Sequence, residues 1–391
     1  MAKFDGLTWQ AVGNGFPNAG HHLTSFNNNL YGVAYQPAID SNWVYQYDGT
    51  NFTKLGEGTY LSNAVTGFSQ TNNLYNVKDY NGKLIVCGEF DWVGQKNISG
   101  IMQWNGAEWD SLGAGLSSHI DGTAPVMYPH DLCTFGTDLI VSGNFKYAGG
   151  QLCNGVARWD GAQWHALGAG FNSTVYSVVV YNGNLYAGGD FTASGTQSLH
   201  GIAKWNGTSW IDPGFYFYSQ SSTAYTFIHT LQVMNNQLWI SGGFDRAVVG
   251  TDTLVCQNVA FYDGVKLDTL QGGIANNEIE ALAFYNGLVY AGGGPSNSGT
   301  KVATYQLPTR LASLPIEEEI QIYPNPSTGH FLLESHGETL DIRIINILGN
   351  TVANFHTKAS LVPIHLIENG MYTMIIQQKN SRIRRQVFVQ K

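Results

Sequence analysis

The chain has 391 residues, of which 12% are charged, 13% are aromatic and 47 are glycine. This composition excludes a helix-rich protein, which would carry more Glu, Lys and Arg, and a disordered chain, which would have few aromatic residues. The net charge of −9 argues against a nucleic-acid partner, because phosphate backbones bind clustered Lys and Arg. We therefore predict an all-β protein with many turns.

The N-terminus shows no targeting segment. Residues 1–5 precede no apolar stretch, so we recognise no signal peptide, and no run approaches the ~18 apolar residues of a membrane-spanning helix. The cysteines lie in apolar, strand-like contexts without metal-ligand spacing, which predicts buried free thiols. They are Cys87, Cys133, Cys153 and Cys256.

A pattern of Leu, any three residues and Gly repeats along the chain at intervals of roughly 50 residues. Clear copies begin at Leu84, Leu139, Leu185, Leu238 and Leu288, and a weaker copy begins at Leu30. A tight turn such as Asn182-Gly183 precedes the Leu, and a second turn such as Asn206-Gly207 follows it. Each copy therefore predicts four strands, and the six copies predict a six-bladed β-propeller over residues 1–314.

The glycines of the second strand and the aromatic residue before the second turn resemble the pattern of kelch-type propellers. That resemblance implies a fold and not an activity, because propellers include both enzymes and binding modules. We expect the glycines to let neighbouring sheets approach closely. We also expect two sets of aromatic residues in the core. They are Phe90, Phe145, Phe191 and Phe244 after the glycines, and Trp104, Trp159, Trp205 and Tyr262 before the second turn.

The two ends of this propeller are predicted to meet. Residues 4–15, FDGLTWQAVGNG, match residues 159–170, WDGAQWHALGAG, whereas the sixth unit lacks the turn motif of its last hairpin. We therefore predict that residues 7–12 supply the outer strand of the sixth blade, which would protect its edge. The alternative is that residues 309–314, TRLASL, close the blade without the N-terminal segment.

Six residues near the start of the innermost strands are candidates for a functional site. Equivalent positions before the first turn of each unit carry His21, Tyr75, His130, Tyr176, His229 and Glu280, which would surround one mouth of a central channel. One interpretation is a polar lining for a water-filled channel. A second is a ligand pocket for a sugar or peptide, with Tyr stacking and with His and Glu forming hydrogen bonds.

A third interpretation of these positions is a metal site formed by His21, His130 and His229, in which Glu280 would be the general base and Tyr75 or Tyr176 the acid. The chain contains no nucleophile elbow, zinc-protease or phosphate-loop motif, so we name no catalytic residue and no other cofactor. The acids that follow the second-strand glycines, Glu89 and Asp190, are interpreted as turn residues. Other units carry Asn144, Gly243 or Gly293 at that place.

The composition changes after residue 314, where no further unit motif occurs. The tail carries Tyr323, Pro324, Asn325, Pro326 and Gly329, then Gly349 within DIRIINILGNTV, then Gly370 and Tyr372, and it ends at Lys391. These motifs resemble the type A C-terminal sorting domain of the type IX secretion system of Bacteroidetes. The resemblance implies an immunoglobulin-like β-sandwich over residues 315–391, with the secretion translocon and sortase as partners.

The same resemblance implies entry into the periplasm with a cleavable signal, so we interpret this chain as a processed or recombinant form. We therefore predict a secreted or cell-surface binding protein whose propeller recognises a glycan or a surface protein. The alternative is a secreted polysaccharide lyase or hydrolase with its site at the channel mouth.

Overall fold

Every regular element that the structure, a computed structural model, describes is a β-strand. The described residues are 2–4, 9–15, 20–27, 29–36, 41–61, 73–118, 127–220, 226–270, 279–285, 288–293, 302–306, 321–323, 330–334, 339–346, 350–358, 361–366, 369–378 and 381–389. They divide into two compact units, Met1–Tyr305 and Gln306–Lys391, whereas the sequence places the boundary between residues 314 and 315. No helix in these ranges is long and apolar enough to cross a membrane.

The first unit repeats one antiparallel arrangement six times, with strands that follow chain order from an inner to an outer strand. The inner strands are Gly20–Phe26, Leu74–Tyr80, Tyr128–Phe135, Val175–Tyr181, Phe227–Met234 and Ile279–Tyr285. The second strands are Asn29–Gln36, Lys83–Gly88, Asp138–Asn144, Asn184–Gly189, Gln237–Gly243 and Leu288–Gly293. The third strands are Ser41–Tyr47, Ile101–Trp104, Val156–Trp159, Ile202–Trp205, Val259–Tyr262 and Val302–Gln306. The outer strands are Phe52–Lys54, Trp109–Ser111, Trp164–Ala166, Trp210–Ile211 and Leu267–Thr269.

Short strands lie between the main strands, and several of them pair across neighbouring repeats. They are Thr59–Tyr60, Trp92–Val93, Lys96–Asn97, Leu116–Ser117, Tyr147–Ala148, Gln151–Leu152, Ala193–Ser194, Gln197–Ser198, Phe215–Tyr218, Arg246–Val249 and Asp252–Val255. For example, Leu116–Ser117 follows the second outer strand and pairs with Tyr147–Ala148, which belongs to the third repeat. The six inner strands also contact one another in chain order. Consecutive sheets are therefore packed side by side.

A repeated tryptophan joint holds neighbouring sheets together. The indole N–H of Trp164 donates a hydrogen bond to the carbonyl of Leu112 in the preceding repeat at 2.8 Å, and Gly113 lies against the Trp159–Trp164 pair. Equivalent bonds join Trp109 to Leu55 and Trp210 to Leu167. A Cβ at Gly113 would lie 2.9 Å from the Trp159 ring. The glycine after the outer strand therefore makes room for the next pair of aromatic rings.

The predicted core aromatics are buried or pack against the core. Phe90, Phe145 and Phe191 are fully buried and Phe244 is nearly so, which confirms their predicted place. Trp159 is buried as well, whereas Trp104, Trp205 and Tyr262 are half-buried and pack against the hydrophobic clusters. All four cysteines are buried free thiols, as predicted.

The second-strand glycines have a different main role from the one expected. At Gly88, Gly143, Gly189 and Gly242, a Cβ would collide with a backbone carbonyl of the inner strand in the same sheet. The neighbouring Gly188 faces the next sheet, where a Cβ would lie 2.7 Å from the Ile228 side chain. The close approach is therefore mostly within a sheet, because the inner strand bends toward the second strand at that point.

The N-terminal segment forms a hairpin of Ala2–Phe4 and Trp9–Ala11, in which Phe4 lies opposite Trp9. Trp159 lies opposite Trp164 in the third repeat, so this hairpin has the register of a third and an outer strand. Its pairing with the sixth sheet, predicted for residues 7–12, is not among the strand pairs of the described residues. The alternative closing segment, residues 309–314, lies outside the described ranges.

The segment after this hairpin packs against the first repeat. Val12 contacts the cluster of Ala34, Tyr45 and Phe52, and the Asn14 side chain accepts a hydrogen bond from the Phe52 N–H at 2.9 Å. The Gly15 N–H donates to the Val12 carbonyl, just as Gly115 donates to Leu112 after the second outer strand. Residues 12–15 therefore contact the first repeat, although Phe52 stands where the joint tryptophan does in other repeats and has no indole N–H to donate.

The second unit contains two antiparallel sheets. One has Gln321–Tyr323, His330–Glu334 and Leu361–His365, and the other has Leu340–Asn346, Thr351–Thr357, Gly370–Gln378 and Ser381–Val389. Apolar residues from both sheets, such as Phe331 and Ile342, share one buried cluster. This is a two-sheet β-sandwich, and the immunoglobulin-like connectivity stays a prediction.

Candidate functional site

All six candidate positions in the first unit are the extra residue of a β-bulge. In each inner strand, the pairing with the second strand skips one residue. The skipped residues are His21, Tyr75, His130, Tyr176, His229 and Glu280. A bulge redirects a side chain out of the regular alternation of a strand, and bulges are common beside functional sites. The six positions therefore share one backbone feature, the bulge, although their side chains differ.

Four of these side chains form a continuous row, which we call the aromatic arc: Tyr75, His130, Tyr176 and His229. The ring centroids are 5.2 Å apart for Tyr75 and His130, 5.2 Å for His130 and Tyr176, and 5.5 Å for Tyr176 and His229. The last pair is stacked with an interplanar angle of 14°. Each of the four side chains is half-buried, so each keeps some exposed surface.

The two remaining positions flank the arc along the chain. Glu280 is exposed, and its backbone carbonyl accepts a hydrogen bond from the Thr230 hydroxyl at 2.6 Å. The side chain of His21 lies outside the described residues. Four of the six predicted residues thus contact one another through their side chains in the aromatic arc. A fifth, Glu280, is joined to the residue after His229 through its backbone carbonyl.

Glu89 contacts Tyr75, the first tyrosine of the arc. The Tyr75 hydroxyl donates to Glu89 Oε2 at 3.4 Å, and the Tyr128 hydroxyl also donates to this carboxyl group. Burial raises the pKa of Glu89 to about 7, although both tyrosines oppose the shift. Burial, with the nearby charge of Glu89, raises the pKa of Tyr75 in turn. Glu89 is therefore a buried acid that changes protonation near neutral pH.

Asp190 makes the equivalent contact with Tyr176, the second tyrosine of the arc. The Tyr176 hydroxyl donates to Asp190 Oδ2 at 3.3 Å. The other carboxylate oxygen, Oδ1, is buried and accepts no hydrogen bond from any residue that the structure describes. Both acids stand 14 residues after their tyrosine, whereas the residues 14 after His130 and His229 are Asn144 and Gly243. The pairing of tyrosine with acid at this spacing is the sequence signal that our interpretation as turn residues missed.

His130 differs chemically from an imidazole in water. Burial, and to a lesser extent the nearby His229, lowers the pKa of His130 to about 4, so this ring is neutral at pH 7. A neutral imidazole has one donor and one acceptor nitrogen, which suits hydrogen bonding to hydroxyl groups.

The described residues contain no group of three or more His, Cys, Asp or Glu side chains arranged to hold a metal ion. Tyr176 lies between His130 and His229 in the arc. The three-histidine interpretation also requires His21, whose side chain lies outside the described residues.

A buried hydrogen-bond network fixes the strands one residue beyond the arc. Asp131 accepts bonds from the side chains of Asn76 at 2.7 Å and Ser177 at 2.9 Å, and from the backbone N–H of Val178 at 3.0 Å. The Ser177 hydroxyl in turn accepts a bond from the Leu231 N–H at 3.2 Å. This network links four consecutive inner strands, and it therefore sets the spacing of the rings in the arc.

The predicted secretion residues lie in the second unit. Tyr372 is buried in its core, Gly370 begins the strand Gly370–Gln378, and Tyr323 ends the strand Gln321–Tyr323. The other predicted residues lie outside the described ranges. They are Pro324, Asn325, Pro326, Gly329, Gly349 and Lys391.

Comparison with known families identifies the second unit. Residues 321–390 match the family described as secretion system C-terminal sorting domain. This match supports the type IX secretion tail predicted from the motifs, and it makes the protein a secreted or cell-surface protein that interacts with the type IX secretion machinery. No curated protein matches the chain significantly.

Solved structures resemble the chain only distantly. PorZ, a surface component of the type IX secretion system of Porphyromonas gingivalis, is 13% identical with a TM-score of 0.39. The match covers 98% of this chain and 61% of PorZ. The extracellular domain of a putative one-component system from B. thetaiotaomicron is 11% identical with a TM-score of 0.43, over 96% of this chain and 49% of that one. Scores of this size do not establish a shared fold.

Proposed function

We propose that the first unit is a six-bladed, kelch-like β-propeller, closed by its N-terminal hairpin. Five consecutive inner-strand contacts and the repeated tryptophan joint support a side-by-side arrangement of the six sheets. The N-terminal segment supports closure, because Val12 and Asn14, which follow its hairpin, contact the first repeat. A propeller of this kind has no long exposed sheet edge.

The propeller is proposed to bind a glycan, or a surface protein, at the aromatic arc. The observation that carries this proposal is the arc itself, in which four accessible aromatic rings project from bulges at equivalent places in adjacent strands. Aromatic rings stack against the apolar faces of sugars, while neutral imidazole and tyrosine hydroxyl groups satisfy sugar hydroxyls. The sorting tail brings this site outside the cell, where glycans and surface proteins are the available ligands.

A glycan array with the full chain tests the site. Replacing both His130 and His229 with Ala is expected to weaken binding at least about tenfold, because two rings and their hydrogen bonds are lost. The matched control is His200→Ala, since His200 stacks on Tyr216 at 4.5 Å outside the arc. Equal binding by the double variant and the wild type would exclude the arc as the site.

A second candidate function is glycan hydrolysis, and the Tyr75–Glu89 pair favours it. A buried acid with a pKa of about 7 beside a tyrosine hydroxyl group can hold and transfer a proton at neutral pH. Incubation of each array hit with the wild type, followed by detection of released sugars, separates the two functions. Binding without release supports a binding protein, and release that is lost in Glu89→Gln supports the enzyme.

A further inference from the structure

The groups at the aromatic arc are acidic and aromatic. Glu89 and Asp190 stand directly behind its two tyrosines, and the exposed Glu280 occupies the next equivalent position along the chain. Lys78 is a cation on the same inner strand as Tyr75, and it lies near His22 and Asp131. The charged or titratable groups that shift the pKa values of Tyr75, Glu89 and His130 are tyrosines, a carboxylate and a histidine. A ligand at the arc therefore meets negative charge and the electron-rich faces of tyrosine rings.

Asp190 has few hydrogen-bond donors around its carboxylate. Its Oδ2 accepts only the neutral hydroxyl of Tyr176 among the described residues, and its Oδ1 has no donor among them. Asp131, by contrast, accepts hydrogen bonds from Asn76, Ser177 and Val178. The negative charge of a carboxylate is weakly offset when few donors hydrogen-bond to it. Its electrostatic effect on a nearby ion is stronger where side chains displace water. Asp190 therefore repels a second anion placed against the Tyr176–His229 pair.

We infer that the arc selects sugars by charge, binding neutral or amine-bearing sugars and rejecting uronate and sulfated ones, with Asp190 as the residue that sets this selectivity. This inference rests on the proposed glycan-binding function. Tyrosine faces attract ammonium groups, and a carboxylate strengthens that attraction, whereas it opposes a carboxylate or sulfate on the ligand. The natural glycan of this protein is accordingly poor in uronic acid at the bound residues.

Matched tetrasaccharides test the selectivity. The full chain is titrated with neutral, 2-amino and uronate members of the gluco and galacto series, and the affinity ratios within each series are compared. The wild type is expected to bind the neutral or amino member at least about tenfold more tightly than the uronate. Asp190→Asn retains a carbonyl oxygen for the Tyr176 hydroxyl but removes the charge, so its ratio should fall toward one.

Asp268→Asn is the charge-matched control, because Asp268 pairs with Lys266 on an outer strand. This variant should keep the wild-type ratio, and thermal denaturation of both variants reports whether they are folded. The inference is overturned if the wild type binds a uronate at least as tightly as its neutral partner, or if Asp190→Asn keeps the full ratio. Binding of no saccharide by the wild type would refute the glycan-binding proposal, and an unchanged ratio with intact binding would refute only the selectivity.

Discussion

Gly143 faces the inner strand at the bulge of His130, where a Cβ would collide with the backbone carbonyl of Tyr128. The same relationship holds in four repeats, so the second-strand glycine and the bulge belong together. The bulge pushes the inner backbone toward the second strand, and only a residue without a side chain fits opposite it. The glycine is thus a requirement for the placement of the arc residue.

Gly143→Ala should therefore reduce both stability and ligand binding. We expect a loss of roughly 1–3 kcal/mol in the free energy of unfolding, because the backbone must move to admit the methyl group. Gly183→Ala is the control, since Gly183 has a φ of 73° but an added methyl group would meet nothing within 4 Å. That variant should lose about 1 kcal/mol from backbone strain and keep its binding. Denaturant unfolding with binding titrations measures both effects, and normal binding by a destabilised Gly143→Ala would contradict the link.

The tryptophan joint predicts a large effect at Trp164. Its N–H donates to Leu112 at 2.8 Å and its ring is buried, so Trp164→Phe loses a buried hydrogen bond and part of the packing. We expect the free energy of unfolding to fall by about 2 kcal/mol. Trp92→Phe alters a half-buried ring stacked on Tyr60 and should cost under about 1 kcal/mol. Similar losses in the two variants would mean that the joint contributes little.

Glu89 predicts a pH-dependent contribution to stability. Its pKa is raised from 4.5 in the unfolded chain to about 7 in the folded protein, so the folded state favours the protonated form. The contribution is present below about pH 4.5 and is lost as the pH rises through about 7. Relative to Glu89→Gln, the wild type should lose roughly 3 kcal/mol of unfolding free energy between about pH 4 and pH 8. Parallel stability curves for the two proteins would show that Glu89 is not perturbed.

Asn14 tests the contact between the N-terminal hairpin and the first repeat. Its side chain accepts a bond from the Phe52 N–H at 2.9 Å and donates to the Phe52 carbonyl at 3.4 Å. Asn14→Ala should lower the free energy of unfolding by about 1 kcal/mol, because two hydrogen bonds to the Phe52 backbone are lost. Asn184→Ala removes an exposed bond to the Asn182 carbonyl and should change little. If both variants have the unfolding free energy of the wild type, the contact between the N-terminal segment and the first repeat does not stabilise the fold.

The cysteines should be unreactive in the native protein. All four are buried, and burial raises the pKa of Cys133 and of Cys87, which keeps both thiols protonated. Because the thiolate is the reactive form, Ellman's reagent should titrate less than about a tenth of an equivalent before denaturation. All four thiols should react in denaturant. Rapid reaction of one thiol in the native state would place that cysteine at the surface.

The sequence determined the strand units and the identity of the second unit. The Leu-x-x-x-Gly repeat and the Asn-Gly turns marked where strands begin and end, because turn geometry depends on residues close together in the chain. The positions of Tyr75, His130, Tyr176 and His229 also followed from the period alone. Local motifs of this kind act over a few residues, so they can be recognised without the fold.

Only the tertiary structure decided what those residues contact. Glu89 and Asp190 looked like turn residues, yet each lies behind a tyrosine 14 residues earlier, because the second strand returns antiparallel to the inner strand. The bulge is equally invisible in the sequence, since an extra residue is defined by the partner strand that it does not face. The bond between Asn14 and Phe52 likewise joins residues far apart in the chain, which no local pattern encodes.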